Sequence, residues 1–184
     1  NQSNGIFYED GSSKRFAPYA ARDNDIDLGY TTGRWKDLYL SGGAYLGGTG
    51  AANKLDDYEE GTYTATSNVG TIQYGTGWYI RVGDFVHVST VVGVFSNITS
   101  NAVIQISLPF TTKNQSGLNN HGAVMPRYVN SGGRSLTAYA GHNTAAVGFY
   151  ISGTSSNNWD AVKFNYLSNV NAYLRFSLSY WINT

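Results

Sequence analysis

The sequence contains no cysteine, one methionine and three prolines among its 184 residues, and glutamate occurs only three times. Without cysteine the chain can form no disulfide framework, no thiolate metal site and no cysteine nucleophile. Charged residues make up 13% of the chain, about half of the ~25% that is typical of soluble domains. The formal net charge is zero, so the chain lacks the cation excess of a general nucleic-acid binder. No stretch approaches the ~18 apolar residues of a membrane span.

The abundant residues favour β-structure with a neutral polar surface. Asn, Ser and Thr occur 18, 18 and 16 times, and aromatic residues make up 15% of the chain. Aromatic and β-branched residues favour strands, whereas the scarcity of glutamate leaves few strong helix formers. The composition therefore predicts a nearly all-β fold. Exposed sheet edges that carry few charged residues also favour association between chains.

The charge distribution divides the chain in two. Residues 1–60 carry ten acidic and six basic residues, whereas residues 61–184 carry two acidic and six basic ones. The polar run Leu55–Gly61 lies at this boundary. We therefore predict a stem region over 1–60 and a head domain over 61–184. About sixty turn-rich residues cannot bury a good core alone, so the stem needs partner chains.

The sequence of residues 61–184 predicts a series of short strands. Alternation of apolar and polar residues is clearest in three runs, and six weaker runs follow the same pattern. Polar turns separate them, which is typical of an antiparallel β-sandwich with a jelly-roll-like arrangement. The predicted strands are Phe85–Val94, Val103–Leu108, Leu174–Ile182, Tyr63–Thr66, Gly77–Arg81, Ala123–Tyr128, Leu136–Ala140, Val147–Ile151 and Val162–Tyr166.

Three segments together resemble the distal part of bacteriophage tail fibres. The first two are Asp25–Gly43, which contains an Arg-Trp-Lys-Asp-Leu-Tyr-Leu run, and Tyr45–Thr62. The third is Gly77–Asp84, followed later by a strand that ends at Leu108–Phe110. Such sequences look like the junction between a fibre stem and a β-rich receptor-binding head.

The resemblance implies a homotrimeric fibre tip on the virion, outside the cell, with a short intertwined stem joined to an upstream fibre shaft. Its expected partner is a host surface glycan or outer-membrane protein, bound without catalysis and without a cofactor. Within such a trimer, Trp35, Leu38 and Leu40 are predicted to contact neighbouring chains. Trp78 and Trp181 are expected to serve in packing or in contacts between chains.

Residue counts argue against catalysis and metal binding in the head. Its only acidic residues are Asp84 and Asp160, and no Gly-x-Ser-x-Gly elbow is present, so the groups for hydrolysis are few. Three aspartates alternate over Asp23–Asp27, but the glycine and distant glutamate of a calcium loop are missing. The three histidines lack paired zinc-ligand spacing. We therefore predict no catalytic residue and no metal ligand.

Two polar segments have the composition of a glycan site, in which a ring stacks on a sugar and neutral polar groups bind its hydroxyls. One is a Gly/Ser/Asn-rich stretch, predicted to be a loop, in which Trp159 lies beside Asn158 and Asp160. The other contains Arg127 and Tyr128. We predict Trp159 as the stacking platform and the other four residues as its polar partners.

Three other functions are also consistent with the sequence. The chain could be a capsule-degrading or deacetylating tailspike enzyme, which an assay for reducing ends or released acetate would detect. It could be a purely structural trimerisation tip, which would not bind cells. A secreted carbohydrate-binding module would instead be monomeric in solution.

Overall fold

The computed structural model describes residues 6–9, 15–18, 20–152 and 158–183, with side chains undescribed at 6–9, 15 and 152. Contacts divide the chain into two compact units, Asn1–Ser41 and Gly42–Thr184. The described residues form strands, turns and three short 3₁₀ helices, Ala20–Arg22, Ala51–Asn53 and Phe164–Tyr166. They contain no α-helix, and the predicted all-β class is confirmed.

Unit Asn1–Ser41 has little regular structure. Strands β1 (Ile6–Glu9) and β2 (Arg15–Pro18) form an antiparallel hairpin. Further along, Tyr30 and Gly33 exchange two backbone hydrogen bonds of 3.0 and 3.1 Å around a tight turn. None of the described residues of this unit is fully buried.

Unit Gly42–Thr184 contains all the other strands. Its first two form a separate hairpin, and the remaining nine belong to one sheet. The strands are β3 (Ala44–Tyr45), β4 (Lys54–Leu55), β5 (Tyr58–Thr64), β6 (Ile72–Val82), β7 (Phe85–Phe95), β8 (Gln105–Ser107), β9 (Asn120–Arg127), β10 (Leu136–Ala140), β11 (Ala146–Ser152), β12 (Trp159–Ala161) and β13 (Tyr173–Trp181). Because β5 spans residue 60, the charge boundary lies within a strand, and the functional division into stem and head stays a prediction.

The large sheet is antiparallel and curls until it closes on itself. Its strand order is β12-β11-β10-β9-β13-β7-β6-β5, and β8 also pairs with β11. Residues after β5 then reach β8, where the Ser107 N–H donates to the Thr66 carbonyl at 2.9 Å. The Asn68 N–H donates in the same way to the Gln105 carbonyl at 3.1 Å. A closed sheet leaves few unpaired edges and gives the unit an inner and an outer face.

The inner face forms the hydrophobic core. Alternate residues of each strand point inward, so Val86, Val88 and Val92 of β7 are fully buried. Phe149 of β11 meets Phe176 of β13 edge to face, with ring centroids 5.4 Å apart. The alternation read from the sequence of β7 is therefore confirmed as far as Val92. It breaks at Val94, which has a positive φ of 56° and is only half-buried, while Phe95 enters the core.

The strand predicted over Val162–Tyr166 is wrong. Strand β12 ends at Ala161, and Phe164–Tyr166 forms a 3₁₀ turn. The Leu167 N–H donates to the Phe164 carbonyl at 3.0 Å and closes that turn. The turn buries the Phe164 ring against Phe95 at 6.1 Å between centroids. Burial of one aromatic ring thus outweighs the strand preference of the local sequence.

Candidate functional site

An open cleft of about 380 Å³ lies on the outer face of the sheet, where β9, β10, β11 and β12 run side by side. Register explains its lining, because directly paired residues of antiparallel strands point to the same face. Thr137 pairs with Tyr150, and Tyr139 pairs with His121. Among the described residues, the lining consists of Asn119, His121, Thr137, Tyr139, Tyr150, Ile151 and Trp159.

Trp159 forms one wall of this cleft. It is the first residue of β12 and pairs with Ser152, so the prediction that it lies in a loop is wrong. The structure leaves 72% of this residue exposed. A large ring on the surface without core contacts is unfavourable in water unless a partner covers it, and such exposure is common at binding sites.

Two tyrosines form the opposite part of the cleft. The rings of Tyr139 and Tyr150 lie edge to face, 5.7 Å apart at 86°. The Tyr139 hydroxyl donates to Asn119 Oδ1 at 3.1 Å, which fixes the orientation of its ring. Gly148 lies beside them, and a Cβ at this position would come within 3.2 Å of Tyr150 Cε2. The lack of a side chain at Gly148 therefore gives the Tyr150 ring its space.

Polar atoms of the cleft remain available to a ligand. The indole N–H of Trp159, the ring nitrogens of His121 and the hydroxyl of Thr137 have no hydrogen-bond partner among the described residues. The described residues of the lining include no carboxylate, lysine or arginine. Aromatic walls with neutral donors and acceptors suit a ligand that has apolar faces and many hydroxyls.

Asn158 and Asp160 do not line this cleft. Both are exposed, but neighbouring residues of a strand point to opposite faces. Asp160 accordingly turns away from Trp159 and approaches Arg134, with 3.8 Å between Asp160 Oδ2 and Arg134 Nη1. The structure thus separates Asp160 from the platform that it was predicted to support, and Asn158, which precedes β12, is absent from the cleft lining.

Arg127 and Tyr128 form a separate pair at the end of β9. Arg127 Nη2 donates to the Tyr128 hydroxyl at 3.2 Å, and the guanidinium carbon lies 4.7 Å from the centre of the Tyr128 ring. Neither residue lines the cleft, although His121 of the same strand does. These residues are not brought together with Trp159, and a ligand role for them stays a prediction.

The predicted trimer contacts lie in unit Asn1–Ser41 and are exposed. Trp35, Leu38 and Leu40 expose 67%, 68% and 53% of their surface. The first two line an open depression of about 730 Å³ within that unit. Such exposure leaves them available to neighbouring chains, and their role as contacts stays a prediction.

Several acidic groups of the described residues are paired with cationic side chains. Asp25 Oδ2 accepts from Arg22 Nη1 at 2.6 Å, and Asp84 Oδ2 accepts from Lys113 Nζ at 3.1 Å. In the part of the chain that the structure describes, no three His, Asp or Glu side chains lie close enough to hold a metal ion.

Sequence reasoning missed most of the cleft. Asn119, His121, Thr137, Tyr139 and Tyr150 come from three strands that are distant in sequence. The only local signal is that Thr137 and Tyr139, two residues apart in the predicted strand Leu136–Ala140, lie on one face of that strand. The cleft residues come together through the register of paired strands, which cannot be predicted from the local sequence.

No family model, curated protein or solved structure matches this chain. Among the described residues, no helix has the length and apolar content needed to cross a membrane.

Proposed function

We propose that this chain is the tip of a bacteriophage tail fibre, which attaches the virion to a glycan on the host surface without catalysing a reaction. The observation that carries the proposal is the cleft with an exposed Trp159. Its walls are aromatic, and the Trp159 indole N–H and the Thr137 hydroxyl have no hydrogen-bond partner among the described residues. The resemblance of three sequence segments to fibre tips supplies the biological setting.

The chemistry of the cleft favours a saccharide over other small ligands. Sugar rings present apolar C–H faces that stack on indole and phenol rings, and the surrounding hydroxyls need neutral donors and acceptors. A phosphate or a strongly acidic ligand would need cations, which the lining lacks. The lining also lacks the carboxylate pair of a glycosidase.

Assembly is part of the same proposal. Association of three chains, with an intertwined stem and jelly-roll-like heads, would present three identical clefts. One shallow cleft should bind weakly, since stacking on an aromatic ring is worth about 1–3 kcal/mol by analogy with base stacking. Several clefts on one particle raise the effective affinity without any additional contact.

Binding of the labelled chain to a printed array of bacterial surface polysaccharides tests the proposal. The same chain is applied to intact bacteria from a strain panel, before and after removal of surface polysaccharide. We expect binding to at least one polysaccharide, and loss of cell binding after its removal.

The variant Trp159→Ala should abolish both signals while it retains the circular dichroism spectrum of the wild type. Tyr45→Ala is a matched control, because Tyr45 is also an exposed aromatic residue but lies on the short β3–β4 hairpin. Cell binding that survives polysaccharide removal, or that persists in Trp159→Ala, contradicts the proposal.

A further inference from the structure

A second aromatic surface lies on the outer side of β5, β6, β7 and β13. We call it the aromatic face and define it by six exposed residues: Tyr58, Trp78, Ile80, Val82, Phe85 and Trp181. The glycan cleft does not include any of them. From the sequence we expected Trp78 and Trp181 to serve in packing or in contacts between chains. In the structure, the chain leaves about half of each of these residues exposed.

Strand register builds this surface. Val82 pairs with both Tyr58 and Phe85, and Phe85 pairs in turn with Trp181. These four residues therefore form one row across four strands. The rings of Phe85 and Trp181 lie edge to face, 5.3 Å apart. Ile80 and Trp78 continue the surface along β6, because every second residue of a strand points to the same side.

The aromatic face is as large as the largest apolar patches on monomeric proteins, which are often functional. Tyr58, Trp78 and Trp181 are 60%, 52% and 46% exposed. At about 100 Å² for each half-exposed large side chain, the six residues present roughly 600 Å². That value reaches the upper end of the ~300–600 Å² found for the largest apolar patch on a monomer. With its polar neighbours, the face approaches the ~800 Å² that each partner contributes to a standard interface.

Charge favours an identical partner. The only carboxylate within this surface belongs to Glu60, whose Oε2 accepts from the Tyr58 hydroxyl at 2.9 Å. His87 is likewise engaged, with 2.9 Å between its Nδ1 and Ser179 Oγ. A surface with so little charge offers nothing specific to a strongly charged partner or an anionic membrane. The chain has zero net charge, so two copies do not repel each other.

The position of the face is compatible with ligand binding. The sheet closes through β8, and the cleft lies on β9 to β12, whereas the aromatic face lies on β5, β6, β7 and β13. In the closed order of strands, β6 and β7 are opposite β10 and β11. A copy that covers the aromatic face therefore leaves the cleft open.

We propose that the aromatic face packs against a second copy of this chain. The inference rests on the proposed assembly of identical chains, but it adds a contact surface in unit Gly42–Thr184 to the one predicted in the stem. It does not depend on the ligand of the cleft.

Light scattering and cysteine labelling of the full chain test this inference. The chain contains no cysteine, so a single introduced thiol reports on one position. Ile80→Cys lies within the aromatic face. Met125→Cys is the matched control, because Met125 is an exposed apolar residue on the outer side of β9, outside that face. We expect a mass above 20.0 kDa, slow alkylation at position 80 and fast alkylation at position 125.

A second pair of variants measures the effect on association. Ile80→Lys should raise the dissociation constant by about tenfold or more, whereas Met125→Lys should leave it unchanged. A mass that stays at 20.0 kDa throughout the micromolar range overturns both the inference and the proposed assembly. A larger mass with equally fast alkylation at both positions, or with no effect of Ile80→Lys, overturns the inference alone. Whether these variants bind polysaccharide tests the glycan cleft and not the contact at the aromatic face.

Discussion

The role predicted for Trp35 can be tested by its replacement with alanine. In the single chain Trp35 is 67% exposed. Of the up to ~250 Å² of a tryptophan side chain, about 80 Å² is therefore covered, which contributes at most ~2 kcal/mol at ~25 cal/mol per Å². Cover by neighbouring chains would remove a further ~170 Å² from water and would add up to ~4 kcal/mol.

The effect of Trp35→Ala should consequently depend on protein concentration. Where the chain is dissociated, we expect a small loss of stability. Where it is associated, the loss should be ~3 kcal/mol or more, as for other truncations of buried aromatic residues. Thermal unfolding followed by circular dichroism at low and high protein concentration measures both values.

Tyr39→Ala is a matched control for this experiment, because Tyr39 lies in the same segment and is 90% exposed, but is not a predicted contact. An equal fall in melting temperature at both concentrations, together with unchanged light scattering, would show that Trp35 is not a contact between chains.

Three further predictions concern the closed sheet. Gly122→Ala should destabilise the chain by about 1–3 kcal/mol, because a Cβ at Gly122 would lie 1.9 Å from the Ser177 carbonyl oxygen; unchanged urea unfolding would contradict this close approach. Phe149→Ala should cost about 3–5 kcal/mol, since Phe149 is fully buried, and a smaller effect on the denaturation midpoint would place its ring outside the core. Burial raises the pKa of the Tyr180 hydroxyl in the folded chain, so its contribution to stability is complete below about pH 10 and is lost at higher pH. The melting temperature of Tyr180→Phe should therefore fall less steeply than that of the wild type between neutral and strongly alkaline pH, and parallel curves would refute this assignment.

Local patterns predicted the strands best where alternation was strong. Leu136–Ala140 was predicted with the bounds that the structure shows, because small and large apolar residues alternate there with polar ones. The pattern over Val162–Tyr166 misled, because Phe164 reaches the core from a 3₁₀ turn rather than from a strand. Closure of the sheet was also beyond prediction, since it depends on backbone hydrogen bonds between residues near Thr66 and Ser107.

The candidate site was predicted only in its most conspicuous residue. An isolated tryptophan in a polar segment is a local signal, so composition could identify Trp159. The residues that face it across the cleft, such as Tyr139 and Tyr150, are brought there by pairing between strands. Conversely, Asp160 is adjacent to Trp159 in sequence but points away from it. Proximity in sequence is therefore a poor guide to the site in this fold.

The most direct test of the central claim uses the indole N–H signals in a two-dimensional ¹H–¹⁵N NMR spectrum. The chain has four tryptophans, and replacement of each one by phenylalanine assigns its signal. A saccharide that is positive on the array is then titrated into the labelled chain. We expect the Trp159 signal to shift and saturate while those of Trp35, Trp78 and Trp181 stay in place. A shift confined to another tryptophan, or no shift at saccharide concentrations that saturate the array signal, would contradict it.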